Sequence, residues 1–226
     1  MSDPPPAAHF RPLLTDDGSS TLIHPVFNEA YSSKHGAWMQ ARELYLKLTQ
    51  THLHPAPRVL EVGFGLGVNF RATLEDCLSR GARIEYLSYE LFPAPLEALS
   101  SVQVPTSAAQ EVWEQVLRLW PPASSFVLDG GWGRLELRLE DATRAEFRPG
   151  WATAVYFDPF SPDVNPEPWG LETLKAAYAA CQDGATLATY SVQGQFRRAL
   201  VEAGFKVQKV PGVGKKQWTM ARKSGR

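Results

Sequence analysis

Apolar and polar positions along the chain change period repeatedly, and the changes mark out the elements. Short apolar runs at 10–14 and 21–24 flank Asp16-Asp17-Gly18-Ser19, the pattern of a β-hairpin turning on Asp-Gly. Trp38, Leu44, Tyr45 and Leu48 recur at helical spacing and predict one amphipathic helix over 36–50. Beyond it, apolar runs of strand length alternate with helical stretches. Strands are predicted over 58–62, 83–89, 135–139, 153–157 and 185–190, and helices over 68–80, 94–101, 108–119, 172–181 and 195–203. That alternation predicts an α/β fold with a mostly parallel sheet and crossover helices. The last two strands, 206–210 and 217–221, are joined by Gly212-Val213-Gly214 with no helix between, so one antiparallel strand is expected at a sheet edge. Residues 1–8 are proline-rich and expected to be disordered, and 9–226 read as one domain.

Composition adds a charge asymmetry. The net charge is −1, yet residues 191–226 carry nine Lys and Arg against one acid, Glu202, so the rest of the chain sums to −9. The basic tail is either a solvated surface hairpin or an electrostatic footprint for a polyanion. Cys77 and Cys181 fall in helical stretches and read as core residues of a reduced, intracellular protein. The five histidines are scattered, and His52 and His54 have no cluster to complete a zinc set, so no metal is expected. The N-terminus lacks a signal-peptide layout, and no apolar run approaches the ~20 residues that span a bilayer. The expected location is the cytoplasm, away from membranes.

The first core strand runs directly into Glu61-Val62-Gly63-Phe64-Gly65-Leu66-Gly67 and then a helix. Glycines at such a turn permit positive φ and close approach of a ligand to the backbone. The third glycine falls one residue too early for the dinucleotide fingerprint, where Val68 would have to be glycine. With an acid two residues before the first glycine, the loop resembles motif I of the S-adenosyl-L-methionine methyltransferases. Tyr89-Glu90 ends the second strand, where an ionised carboxylate can accept both ribose hydroxyls. Asp141, with Glu140 as the alternate, ends the third strand beside Ala142, as an adenine contact or as a cap.

The fourth strand delivers Asp158-Pro159-Phe160-Ser161-Pro162 at its carboxyl end. Asp158-Pro159-Phe160 is similar to the catalytic loop of amino-group methyltransferases. There a carboxylate and a nearby carbonyl accept hydrogen bonds from the target nitrogen and aim its lone pair. Asp158 is also suited to take a proton from an aliphatic amine. Asn165 before Pro166 reads as a helix start, and Trp169 either packs in the core or offers a stacking face to a base.

Taken together, the segments resemble the methyltransferase domain of the bacterial tRNA 5-methylaminomethyl-2-thiouridine biosynthesis proteins, in a standalone form without the FAD-dependent oxidase half. The stretches that carry this are Glu29-Ala30-Tyr31-Ser32-Ser33, the glycine loop through Val68-Asn69-Phe70, Phe157 to Pro162 with Asn165-Pro166 and Trp169, and Gly212-Val213-Gly214-Lys215-Lys216. The resemblance implies a Rossmann-like class I methyltransferase with an added N-terminal hairpin and helix. It implies S-adenosyl-L-methionine as cofactor, held by Tyr31, Glu61, Gly63, Phe64, Gly65, Gly67, Glu90, Asp141, Ala142 and Asp158, with Asp158 also catalytic. The implied substrate is the aminomethyl group on the wobble uridine in a tRNA anticodon stem-loop, met by Phe160, Asn165, Trp169, Lys215 and Lys216. Any oxidase partner would be a separate chain. The family often has histidine where this chain has Ser32 and glutamate where it has Gln40, both near the expected cofactor lid. Two rivals stay open: a methyltransferase acting on another amine, in a small molecule or DNA base, and a non-catalytic module binding S-adenosyl-L-methionine or RNA. The early third glycine disfavours a nicotinamide dehydrogenase.

Overall fold

The computed structural model describes residues 10–120, 125–214 and 216–225. The expectation of a disordered 1–8 therefore lies outside the described residues. An N-terminal hairpin, β1 (Arg11–Leu14) and β2 (Ser20–Ile23), forms a sheet of its own. The predicted helix after it begins as α1 (Ala37–Gln40) and continues as a π-helical segment (Ala41–Lys47).

The core then follows the predicted alternation: β3 (Arg58–Val62), α2 (Val68–Ser79), β4 (Ile84–Tyr89), α3 (Leu96–Ser101) and α4 (Gln110–Arg118). Next come β5 (Phe126–Gly130), β6 (Gly133–Arg138), β7 (Ala152–Phe157), α5 (Leu171–Ala180), β8 (Cys181–Thr189), α6 (Gly194–Glu202), β9 (Lys206–Pro211) and β10 (Gln217–Arg222). The eight strands from β3 onward form one sheet in the order β5-β6-β4-β3-β7-β8-β10-β9.

The five middle strands, β6 to β8, are parallel. The terminal hairpin contributes the expected antiparallel strand, but β10 pairs with β8, one place in from the edge, and β9 lies outside it. The far edge is β5, antiparallel to β6 and absent from the sequence reading. Its side chains are at best half-buried, so it lacks the apolar run that marks the central strands. Pairing holds it there, through a turn in which Gly133 passes against β4: a Cβ at Gly133 would lie 1.9 Å from the Ile84 carbonyl oxygen. Cys181, expected within a helix, is instead the first residue of β8 and is buried.

Successive side chains of the central strands go to opposite faces. Val59, Tyr86, Ala154 and Tyr156 join a core with the π-helical segment, α2 and α4; Leu60, Leu87, Val155 and Phe157 join another with α5 and α6. Covered on both faces, β7 buries all six of its residues, which is why its sequence is uninterrupted by polar alternation. The carboxyl ends of β3, β4, β6 and β7 are left to face a single cavity.

Candidate active site

The floor of that cavity is the glycine loop between β3 and α2. Gly63 (φ +92°) and Gly65 (φ +54°) adopt backbone conformations that side chains rarely take. A Cβ at Gly63 would sit 2.6 Å from the Asp158 carbonyl oxygen, and one at Gly65 would sit 3.0 Å from the Tyr31 ring. Gly67 also has positive φ, but it faces the core, where a Cβ would meet the Trp113 ring at 2.6 Å. The cavity has a volume of about 950 Å³ and is lined by Gly63, Phe64 and Gly65 but not by Glu61 or Gly67. The expected cofactor contacts Glu61 and Gly67 thus stand behind the cavity lining, where they support the loop. Glu61 lies on a central strand with its carboxylate turned into the protein, and Gly67 lets Trp113 close against the start of α2.

Glu90 and Asp141 both line the cavity, with Glu140 and Ala142. The Gly65 N–H donates to Glu90 Oε2 at 2.8 Å and the Phe92 N–H to Oε1 at 2.8 Å. One carboxylate thus ties the glycine loop to the end of β4. Burial raises its pKa, and these backbone donors counter the rise. Asp141 Oδ1 accepts from the Thr143 N–H (2.9 Å) and hydroxyl (2.7 Å), so it caps its own turn while facing the cavity.

Asp158 stands where β7 ends, across the cavity from Glu90. Tyr45 donates its hydroxyl to Oδ1 at 2.5 Å, and Asn69 Nδ2 donates to Oδ2 at 2.8 Å. The second N–H of the Asn69 amide reaches Glu61 Oε1 at 3.0 Å, and Ser88 Oγ donates to Glu61 Oε2 at 2.7 Å. Burial pushes the Asp158 carboxyl up to about 7 against the lowering effect of its two donors. Burial likewise lifts Glu61 to about 8, against its own donors and with the Asp158 charge adding to the rise. Tyr45, Asn69, Ser88 and Tyr190, whose hydroxyl donates to the Pro159 carbonyl at 2.8 Å, complete this site beyond the residues expected from the motifs. Asn69 sits within the glycine-loop motif, but the other three carry no local signal.

The roof comes from the N-terminal segment. Glu29 accepts two hydrogen bonds from Ser161, through its N–H at 3.0 Å and its hydroxyl at 2.5 Å, and so fastens this segment to the Asp158 loop. Gln40 Oε1 accepts the Ser33 N–H at 2.5 Å, so glutamine supplies the acceptor needed at the lid. Phe160 lies in a ring cluster with Phe27 (4.6 Å), Tyr31 (5.0 Å) and His24 (5.2 Å). Tyr31, Phe160 and Asn165 line the cavity. Trp169 does not: it is buried beneath the loop, donates Nε1–H to the Phe160 carbonyl at 2.9 Å and packs on Phe196. Of the two placements open for Trp169 the core is the one found, so its expected contact with a base is corrected. Residues 167–169 make one 3₁₀ turn that delivers this indole.

Lys216 is exposed at the cavity mouth, its Nζ 3.5 Å from Ser33 Oγ, while Lys215 lies outside the described residues. Lys206 and Lys209 are exposed on the edge strand β9. No helix among the described residues is long and apolar enough to cross a membrane, and no group of three or more metal-binding side chains occurs among them.

A family model described as S-adenosyl-L-methionine-dependent methyltransferase matches residues 105–224. The chain belongs to this methyltransferase family. The tRNA 5-methylaminomethyl-2-thiouridine biosynthesis bifunctional protein MnmC of Acidovorax sp. (strain JS42) is 39% identical over 211 residues, covering 88% of this chain and 33% of the relative. The protein of the same name from Aromatoleum aromaticum is 33% identical over 227 residues, covering 94% and 35%. The chain thus spans about a third of the length of the curated relatives it matches. Among solved structures, MNMC2 from Aquifex aeolicus superposes with a TM-score of 0.78 at 28% identity, covering 96% of this chain and 71% of that one. Spermidine synthase from Thermotoga maritima, at 11% identity and TM-score 0.55, shares the fold.

The cavity fits the cofactor of this methyltransferase family. Its volume falls within the about 300–1,000 Å³ usual for small-molecule sites. Two glycines leave the backbone bare where a ligand must come close, and an acid ends the neighbouring strand. The Tyr31 hydroxyl is buried with no hydrogen-bond partner among the described residues, in a residue that lines the cavity, as a ligand contact would be.

Proposed function

We propose that this methyltransferase acts on an amine nitrogen, the aminomethyl group on the wobble uridine of a tRNA anticodon stem-loop. The observation that carries the reading is Asp158: a carboxylate with no paired cation among the described residues, lifted by burial to about 7, set in a proline-rigid loop at the cavity wall. An oxygen or carbon nucleophile has no cation for such a group to hold, whereas an alkylammonium does. The names of the relatives support the choice of amine.

In this reading Gly63 and Gly65 admit the cofactor, Glu90 takes its ribose hydroxyls on the lone pairs its two backbone donors leave free, and Asp141 and Ala142 meet the adenine end. Tyr31 covers the loop. Bound S-adenosyl-L-methionine supplies a methyl group made electrophilic by its sulfonium. Asp158 does the rest of the work on the substrate. Its ionised form attracts the ammonium, accepts the proton that must leave before the nitrogen has a lone pair, and holds a remaining N–H so that the lone pair points into the cavity. Phe160 and Asn165 flank the entering group, and Lys216, with Lys206 and Lys209 on the neighbouring edge, meets phosphates.

The test is single-turnover transfer from methyl-labelled cofactor to tRNA bearing 5-aminomethyluridine, with digested nucleosides read by mass spectrometry. Label on the aminomethyl nitrogen at position 34 supports the reading. Transfer to free amines or DNA with none to this tRNA would contradict it.

A further inference from the structure

We propose that Tyr45 and Asn69 are positioning residues of the transfer centre, two donors from separate elements that fix the plane of the Asp158 carboxylate and leave its free lone pairs for the substrate amine. The inference rests on the reading of Asp158 as the amine acceptor. It begins with an oddity of the backbone. A helix with every turn of α geometry would rotate the side chains after Ala41 by a different angle; the π-helical stretch Ala41–Lys47 widens the turn where Tyr45 is presented. Tyr45 is fully buried, 113 positions away in sequence, and spends its hydroxyl on Asp158 Oδ1. Its ring stacks obliquely on Tyr156, 5.3 Å away, so the ring's place is set by packing and the hydroxyl is the part that reaches the site.

Asn69 approaches the other oxygen from the first turn of α2. An amide NH₂ has two hydrogens and no charge, and both are used here, one on Asp158 and one on Glu61. A lysine or arginine there would pair with Asp158 and compete with an ammonium substrate; an amide orients the carboxylate without neutralising it. Each Asp158 oxygen has two acceptor sites, and each has received one donor. The carboxylate is held in rotation yet keeps capacity for two more N–H groups.

The groups that bear on Asp158 are Tyr45 from the π-helical segment, Tyr190 beyond β8, and Glu61 and Tyr86 from the central strands. The tyrosines are held neutral by burial, well above their ordinary range, so near neutral pH Tyr45 acts only as a donor. A donor to the ionised form lowers the carboxyl pKa. Removing it must raise that pKa, which a merely space-filling residue would not do.

The experiment uses Tyr45→Phe, which keeps the ring and its packing. Carbon-13 NMR titration of the Asp158 carboxyl in the ligand-free chain, assigned with Asp158→Asn, should show the midpoint about one pH unit higher in the variant, the scale of a lost hydrogen bond to a charged group. On aminomethyl tRNA, turnover should fall about tenfold near pH 6.5 and recover toward pH 8.5, with cofactor affinity by calorimetry within twofold of wild type. An unchanged midpoint, or an equal loss of turnover at every pH, overturns the proposal. The titration needs no substrate, so a chain that fails to methylate tRNA would refute the reading of its function while leaving the positioning of Asp158 separately decided.

Discussion

Glu90 and Asp158 face one cavity from the ends of two strands that both flank β3, yet their surroundings differ. Glu90 is held by backbone N–H groups of Gly65 and Phe92. Asp158 is held by the side chains of Tyr45 and Asn69. Backbone donors are present whatever residue other than proline occupies those positions, so the proposed cofactor half depends mainly on glycine geometry. Side-chain donors can be lost singly, so the proposed transfer half depends on residues far apart in the chain. Each half should therefore break in its own way.

The largest effect is expected at the loop itself. Gly65→Asp places a Cβ 3.0 Å from the Tyr31 ring in a conformation that disfavours it, and a second carboxylate beside Glu90. Cofactor binding should drop below detection by calorimetry, while circular dichroism reports a folded chain. Measurable affinity in that folded variant would mean the ligand lies elsewhere.

These two halves also differ in how readily the sequence discloses them. The glycine loop, Glu90 and Asp141 are adjacent to strand ends and announce themselves locally, because strand, turn and helix in succession demand those residue types. Asp158 was legible for the same reason. Its partners were not: Tyr45 read as one more apolar position on an amphipathic helix, and nothing in a 3.6-residue period discloses a π turn. The acid of the glycine motif, Glu61, shows the reverse: the motif marks the residue but not where its carboxylate turns. On a central strand in register with Ser88, its buried carboxylate is taken up by Ser88 and Asn69 and stands behind the cavity lining. For Trp169 both placements stayed open, since a tryptophan in a loop motif carries no mark of whether its ring turns inward. The sheet was legible wherever burial on both faces imposes continuous apolar strands; β5, an edge strand held by pairing, was not.

A smaller effect tests whether the basic side of the mouth belongs to the transfer half. With Lys209→Ala and Lys216→Ala, the log–log slope of tRNA affinity against salt should shrink by about 0.7 to 0.9 per lost phosphate contact. Cofactor affinity should not change. Slopes equal to wild type would remove this surface from the RNA interface.

A separate effect, on stability, needs no ligand. Asp158 and Glu61 titrate at about 7 and about 8 in the fold, above their ordinary 3.8 and 4.5. Between those limits the folded chain binds more protons than the unfolded one, so unfolding free energy falls as pH rises. Their contribution is full below about pH 4 and lost by about pH 8. His24 and His54, both lowered by burial, act oppositely near pH 6.5 and soften the decline. The ligand-free chain should therefore melt at a lower temperature at pH 8.5 than at pH 5.5, with a smaller drop in Asp158→Asn. A melting temperature that rises across this range would show that the two acids are not held as described.

The separation of the two halves is tested most directly by Asp158→Asn, assayed for cofactor affinity and for turnover on aminomethyl-uridine tRNA in the same preparation. Asparagine keeps the shape of the side chain but loses its charge and basicity. Turnover should fall about 10²-fold or more and recover in part at higher pH, where more of the amine is already neutral. The dissociation constant for S-adenosyl-L-methionine should change by no more than a few fold. Wild-type turnover would reduce Asp158 to a structural acid at the end of β7, and loss of cofactor binding would place it in the half assigned here to Glu90.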